Sequence, residues 1–214
     1  MIRGNKVLLL RSWYALLGVF ILSFGAATLR VGHVGLDPYT AANIGIGGAF
    51  GLSLGSYQLL INLMILVVVF VLNKKYIGAG TVINMVLTGF FIDFFTWAYG
   101  HFFHVRLNWL IQLLFLILGV VVFTFGASFY MSAKVGNAPY DAIAPLIVDF
   151  TDAHYRIVRI AQDVFFVLLA FLFGGPVGIG TVINAFFTGP LITFWNQAVS
   201  EPYIEGSLKK RIEK

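Results

Sequence analysis

Gly78-Ala79-Gly80-Thr81-Val82-Ile83-Asn84 returns one hundred residues later as Gly178-Ile179-Gly180-Thr181-Val182-Ile183-Asn184. The flanking sequence repeats in the same order. Leu17-Gly18-Val19 and Ser23-Phe24-Gly25-Ala26 come back as Leu118-Gly119-Val120 and Thr124-Phe125-Gly126-Ala127, shifted by 101. At that shift Gly35, Pro38 and Tyr39 match Gly136, Pro139 and Tyr140, while Thr88-Gly89 recurs as Thr188-Gly189. Apolar bias produces scattered matches, not an ordered series with one single-residue gap. The chain is two homologous halves, about 7–100 and about 108–200, with a basic tail at 201–214.

The 214 residues are 59% hydrophobic and 11% charged, where soluble domains carry about 25% charged residues. Mean hydropathy is +0.91. Such a chain belongs in a bilayer, as one membrane domain. The absence of Cys excludes disulfides, thiolate catalysis and Cys-based metal centres. The net charge of +5 sits at the ends of apolar runs rather than in a patch interleaved with aromatics. Membrane orientation explains that placement, and nucleic acid does not.

Six runs approach the 20 or so apolar residues that a crossing helix needs: Val7–Leu29, Ser56–Leu72, Val82–Tyr99, Trp109–Ala133, Val158–Phe173 and Val182–Val199. Two further segments, Gly35–Gly55 and Gly136–Arg156, open on helix-start signals. Asp37 suits an N-cap with Pro38 in the first turn; Pro139 does the same for the second segment, and Asp141 favours the positive end of its helix dipole. A helix over Pro139–Phe150 would be about 18 Å long, short of a hydrocarbon core of about 30 Å. With six crossings and the N-terminus inside, Lys and Arg divide 12 inside against 2 outside, Arg30 and Arg106. With eight crossings the division falls to 10 against 4. The positive-inside bias therefore favours six, and three crossings per half invert the second copy. The expected fold is an all-α polytopic membrane protein. Its six transmembrane helices form two inverted three-helix repeats, each with a short re-entrant or interfacial half-helix.

Several residues stand out against that frame. Asp37, Tyr39, Tyr140 and Asp141 cluster at the half-helix starts; they cap and anchor, or they form a paired solute site. Arg30 and Lys134, just upstream, balance these acids or hold an anionic group. Thr81/Asn84 and Thr181/Asn184 read as N-cap and third-turn residues, with Asn84 and Asn184 also candidates to line a solute path. Asp93 and Asp163 are the acids inside apolar spans and hence candidates for proton or ion coupling. Arg159, one turn before Asp163, suggests an ion pair there. The paired glycines at 18/25 and 119/126 fall on one helix face and allow close helix approach. Gly51-Leu52-Ser53-Leu54-Gly55 fits a serine-hydrolase pattern but lacks its strand-turn-helix setting. Gly45-Ile46-Gly47-Gly48 lacks the strand of a dinucleotide site. His33, His101 and His104 read as solvated loop residues rather than a metal site.

Gly-x-x-Pro-Tyr at Gly35–Tyr39 and Gly136–Tyr140, Gly-Leu-Ser-Leu-Gly at Gly51–Gly55 and Gly-Pro-x-Gly-x-Gly-Thr-x-x-Asn at Gly175–Asn184 resemble the YczE/YyaS/YitT-type bacterial membrane proteins. The resemblance covers nearly the whole chain. It departs at Pro38–Thr40, Pro-Tyr-Thr where relatives often have Pro-Trp-Asp. It implies a bacterial inner-membrane protein and carries over no catalytic residue. Inverted repeats with interrupted helices characterise secondary transporters. The expected function is thus a small permease for an organic solute, with both termini cytoplasmic; the alternative is an accessory or regulatory protein binding lipid or a partner. No enzymatic activity, cofactor or metal is expected. Expected partners are membrane lipid and a small solute, with a second copy of the chain as a further candidate and no nucleic acid.

Overall fold

A computed structural model describes residues 2–103 and 106–212. Among the described residues there are nine α-helices and no strand. They are α1 (Ile2–Val31), α2 (Pro38–Ala49), α3 (Leu54–Leu72), α4 (Ala79–Phe102), α5 (Trp109–Ser132), α6 (Pro139–Phe150), α7 (Tyr155–Leu172), α8 (Ile179–Trp195) and α9 (Glu201–Ile212). All six apolar runs are helical, and both half-helices are present, each 12 residues long. Four helices, α1, α3, α4 and α5, are long and apolar enough to cross a membrane. The other two differ for visible reasons. α7 carries Arg156, Arg159 and Asp163 within 18 residues. α8 spans 17 residues and runs through a π-helical stretch, Asn196–Ser200, into α9.

The glycine repeats bring α1 against α5. A Cβ on Gly18 would lie 2.3 Å from the Tyr130 amide nitrogen, and one on Gly25 would lie 2.4 Å from that of Phe123. From the other side, a Cβ on Gly126 would lie 2.2 Å from the Leu22 amide nitrogen. Rising numbers on α1 meet falling numbers on α5, so the two helices run antiparallel. Small residues permit this backbone approach, which lipid alone does not drive.

The two repeated motifs dock on each other across the halves. Gly180 N–H donates to the Val34 carbonyl at 2.7 Å, and Gly80 N–H donates to that of Val135 at 2.7 Å. Leu36 N–H likewise reaches Pro176 O, and Asn137 N–H reaches Tyr76 O. Each half thus lends its helix-entry turn to the other half's Gly-x-Gly-Thr. His33 and Lys134, 101 apart, both take φ 55° just before these turns. The docking also corrects the expected cap. Gly78 and Gly178 are the N-caps of α4 and α8, and Thr81 and Thr181 sit at the third helical position. Their hydroxyls accept from the Gly78 and Gly178 amides at 3.0 and 3.1 Å. A side chain at the cap would collide with the docked turn, 2.2 Å from Val135 O at position 78.

The basic tail at 201–214 forms α9 over its described part and is clamped to the bundle. Ile204 and Leu208, one turn apart, are buried with Tyr14 and Ala15. Tyr14 OH donates to Ser207 Oγ at 2.6 Å, and Arg11 pairs with Glu205 at 2.8 Å. At the far end of α6, Asp149 accepts from Lys75, from Tyr76 OH and from Asn73 Nδ2 at 2.7, 2.7 and 2.9 Å. The hydrogen bonds from Lys75 and Tyr76 hold its carboxyl below the ordinary value. A lowered carboxyl favours this tether above the ordinary Asp range and releases it only as pH falls through the depressed value. Carboxyl 13C titration should put Asp149 below the ordinary Asp pKa of about 3.9; a midpoint at or above that value contradicts the tether.

Candidate solute site at the half-helix junction

Asp37 caps α2 as expected, accepting from the Thr40 amide at 3.0 Å, with Pro38 in the first turn. Its counterpart at the α6 cap is Ala138, and there Asp141 supplies the first-turn acid instead. These starts aim Tyr39 and Tyr140 at each other. Their rings stack with centroids 4.3 Å apart and planes 18° apart, and both rings are buried, at 4% and 7% exposure. Phe166 closes on both edges, 5.2 Å from each centroid.

Each tyrosine hydroxyl then reaches the middle of the helix that follows its own 12-residue helix. Tyr39 OH donates to Asn62 Oδ1 at 2.6 Å, and Tyr140 OH donates to Asp163 Oδ1 at 2.5 Å. Asn62 and Asp163 are 101 apart, each the ninth residue of its helix. The pair therefore sits halfway along α3 and α7. The two tyrosine contacts are thus equivalent in position.

The charge of the site is not symmetric. At shift 101, Thr40, Gln58 and Asn62 of the first half match Asp141, Arg159 and Asp163 of the second. Arg159 donates to Asp141 Oδ1 at 3.0 Å, approaches Asp163 Oδ2 at 3.4 Å and lies 4.8 Å from the Tyr140 ring centroid. Asp37 lies within charge–charge reach of Asp141 and Asp163. Two carboxyls, Asp141 and Asp163, thus share one guanidinium, with a third carboxyl, Asp37, nearby. Gln162, buried, donates to the Tyr140 carbonyl at 3.0 Å while its Oε1 has no partner. The buried Asn43 Nδ2, one turn from Tyr39, is also without one among the described residues. The junction retains both donor and acceptor capacity.

The other candidates lie in separate groupings. Arg30 pairs with Asp93 at 3.0 Å, and Asp93 Oδ2 accepts from Gly55 N–H at 2.7 Å at the start of α3. That constellation ties α1, α3 and α4 together. Lys134 pairs with Glu201 at 3.0 Å. Asn84 and Asn184 are buried, with Thr188 donating to Asn184 Oδ1 at 3.0 Å. His33 is exposed, His101 stacks on Trp97, and His104 lies outside the described residues. Asn62, Gln58 and Gln162 escaped the sequence reading. The signal was available for the first two, since the repeat shift aligns them with Asp163 and Arg159.

Comparison with known proteins gives relatives along almost the whole chain. It is 30% identical over 191 residues to the "Uncharacterized membrane protein YczE" of Bacillus subtilis (strain 168), covering 89% of this chain and 87% of the relative. It is 26% identical to "Uncharacterized protein YyaS" of the same organism, covering 88% and 93%. An "Uncharacterized protein" of Haemophilus influenzae is 25% identical, covering 88% and 85%. No solved structure matches. These relatives and the apolar helices make it a membrane protein. Residues 9–197 match the family of unknown function DUF6198, and the chain belongs to that family, the YczE type its motifs resemble.

Proposed function

We propose that the protein is a small secondary permease of the bacterial cytoplasmic membrane, with both termini inside. Its two halves are inverted three-span repeats, and a small organic solute passes where the half-helices meet. The observation that carries this reading is the Tyr39–Tyr140 stack, a ligand-sized aromatic contact between halves, halfway along α3 and α7. Antiparallel α1 and α5 and the reciprocal docking of the entry turns support the inversion. In permeases with interrupted helices, substrate sits where half-helix ends converge. Here Asp37 and Asp141 already occupy the positive ends of the half-helix dipoles. The surplus of carboxylate over guanidinium makes protons or a cationic solute the complementary cargo. Unstacking the tyrosines by rocking the halves would open the site, and Asp163, bonded to Tyr140, is the group placed to exchange a proton.

The closed stack also favours a second reading, a non-transporting membrane protein whose centre is a rigid joint. Proteoliposomes loaded with the pH dye pyranine separate the two. Wild type should couple proton movement to the addition of some member of a panel of organic amines and neutral solutes. Tyr39→Ala/Tyr140→Ala should abolish that coupling, and Tyr39→Phe, which keeps the stack, should retain most of it. Silence across the panel, from protein that elutes as a single folded species, favours the joint.

A further inference from the structure

Away from the tyrosine junction, a cavity of about 1290 Å³ opens between the N-terminal part of α1, the start of α4 and α9. We infer that it is a binding site for one anionic glycerophospholipid of the surrounding bilayer. The lining of the cavity is mixed in chemistry. It combines two cations, Lys6 and Arg211, with the aromatic rings of Trp13 and Tyr203 and an apolar wall that includes Leu10 and Leu17. From Lys6 to Leu17 is eleven residues, about 16 Å of helix, close to one leaflet of a core about 30 Å thick. Over that depth the groove offers cations, amphipathic aromatics and an apolar wall, the three chemistries a phospholipid presents.

The charges single out an anionic headgroup. No Asp or Glu among the described residues lines the cavity. Lys6 and Arg211 form no ion pair among the described residues, whereas neighbouring Arg11 is neutralised by Glu205. The floor is firm, because Tyr14 and Leu208 are buried and α9 is clamped by the Tyr14–Ser207 and Arg11–Glu205 contacts. Basic pockets between membrane helices hold anionic headgroups by this combination. The site is independent of any transport at the junction.

The test is quenching of Trp13 by brominated lipid. Wild-type and Trp13→Phe proteins are placed in phosphatidylcholine nanodiscs containing either brominated phosphatidylglycerol or brominated phosphatidylcholine, and the Trp13 signal is taken by difference. The expected result is a preference of roughly ten-fold for the anionic lipid. Lys6→Gln/Arg211→Gln should reduce it to the zwitterionic level. Lys209→Gln/Lys210→Gln, which removes the same charge from α9 outside the cavity, should leave it in place. Equal quenching of wild type by both lipids overturns the site. So does an equal loss in the two double variants, which would make the preference a general surface effect.

Discussion

Arg159→Gln should destabilise the folded protein by about 2 kcal/mol, and adding Asp141→Thr and Asp163→Asn should recover most of that loss. The single change leaves Asp163, with a side chain only 11% exposed, bonded to Tyr140 but without a counter-charge. Breaking a buried ion pair from one side costs about 3–5 kcal/mol. The lower figure applies because Arg159 and Asp141 are 30% and 41% exposed, where solvent screens the pair. The triple variant copies Gln58, Thr40 and Asn62 of the first half, where Tyr39 keeps its hydrogen bond to a neutral amide. Denaturation in mild detergent of these two variants and of Asp141→Thr/Asp163→Asn alone closes the double-mutant cycle. Additive losses would mean that the charged set is not a coupled unit. On the permease reading, the triple variant should fold yet lose any pH dependence of flux, separating stability from function at one site.

Gly126→Val should be the more damaging change, costing about 3 kcal/mol or more and releasing α1 from α5. The added Cβ would meet the Leu22 backbone nitrogen at 2.2 Å, and backbone cannot rotate away as a side chain can. Gly126→Ala should impose the same clash at reduced severity. Gly206→Ala is the matched control. Position 206 lies inside α9 with nothing within 4 Å of a new Cβ, so Ala there should add about 0.5–1 kcal/mol by helix propensity. Thermal unfolding followed by size exclusion reads all three. A Gly126→Val protein as stable as wild type would remove the close α1–α5 crossing from the fold.

What the sequence made legible was local or periodic. The six apolar runs, the 12-residue helix Pro139–Phe150 and the Asp37 cap each depend on neighbours within a few residues, and all are present. The repeat itself was legible because duplication leaves a fixed shift. The partners of charged side chains were not. Arg30 joins Asp93 across 63 residues and Lys134 joins Glu201 across 67, distances set by packing of whole helices. The role of Gly78 and Gly178 was hidden for the same reason: from the chain alone Thr81 reads as a cap, and only the docked turn of the other half requires glycine there. Gln58 and Asn62 look like ordinary polar residues until the repeat shift sets them beside Arg159 and Asp163.

The proposed inversion of the halves is open to direct measurement, since the native chain has no Cys to confuse single-cysteine labelling. His33 and Lys134 are equivalent positions, both exposed, each just before its half-helix. With inverted halves in intact cells, a membrane-impermeant maleimide reaches His33→Cys from outside, and reaches Lys134→Cys only after the cells are opened. Labelling of both from the same face would mean parallel halves, and the tyrosine junction would then lose its place as a gate between the two sides.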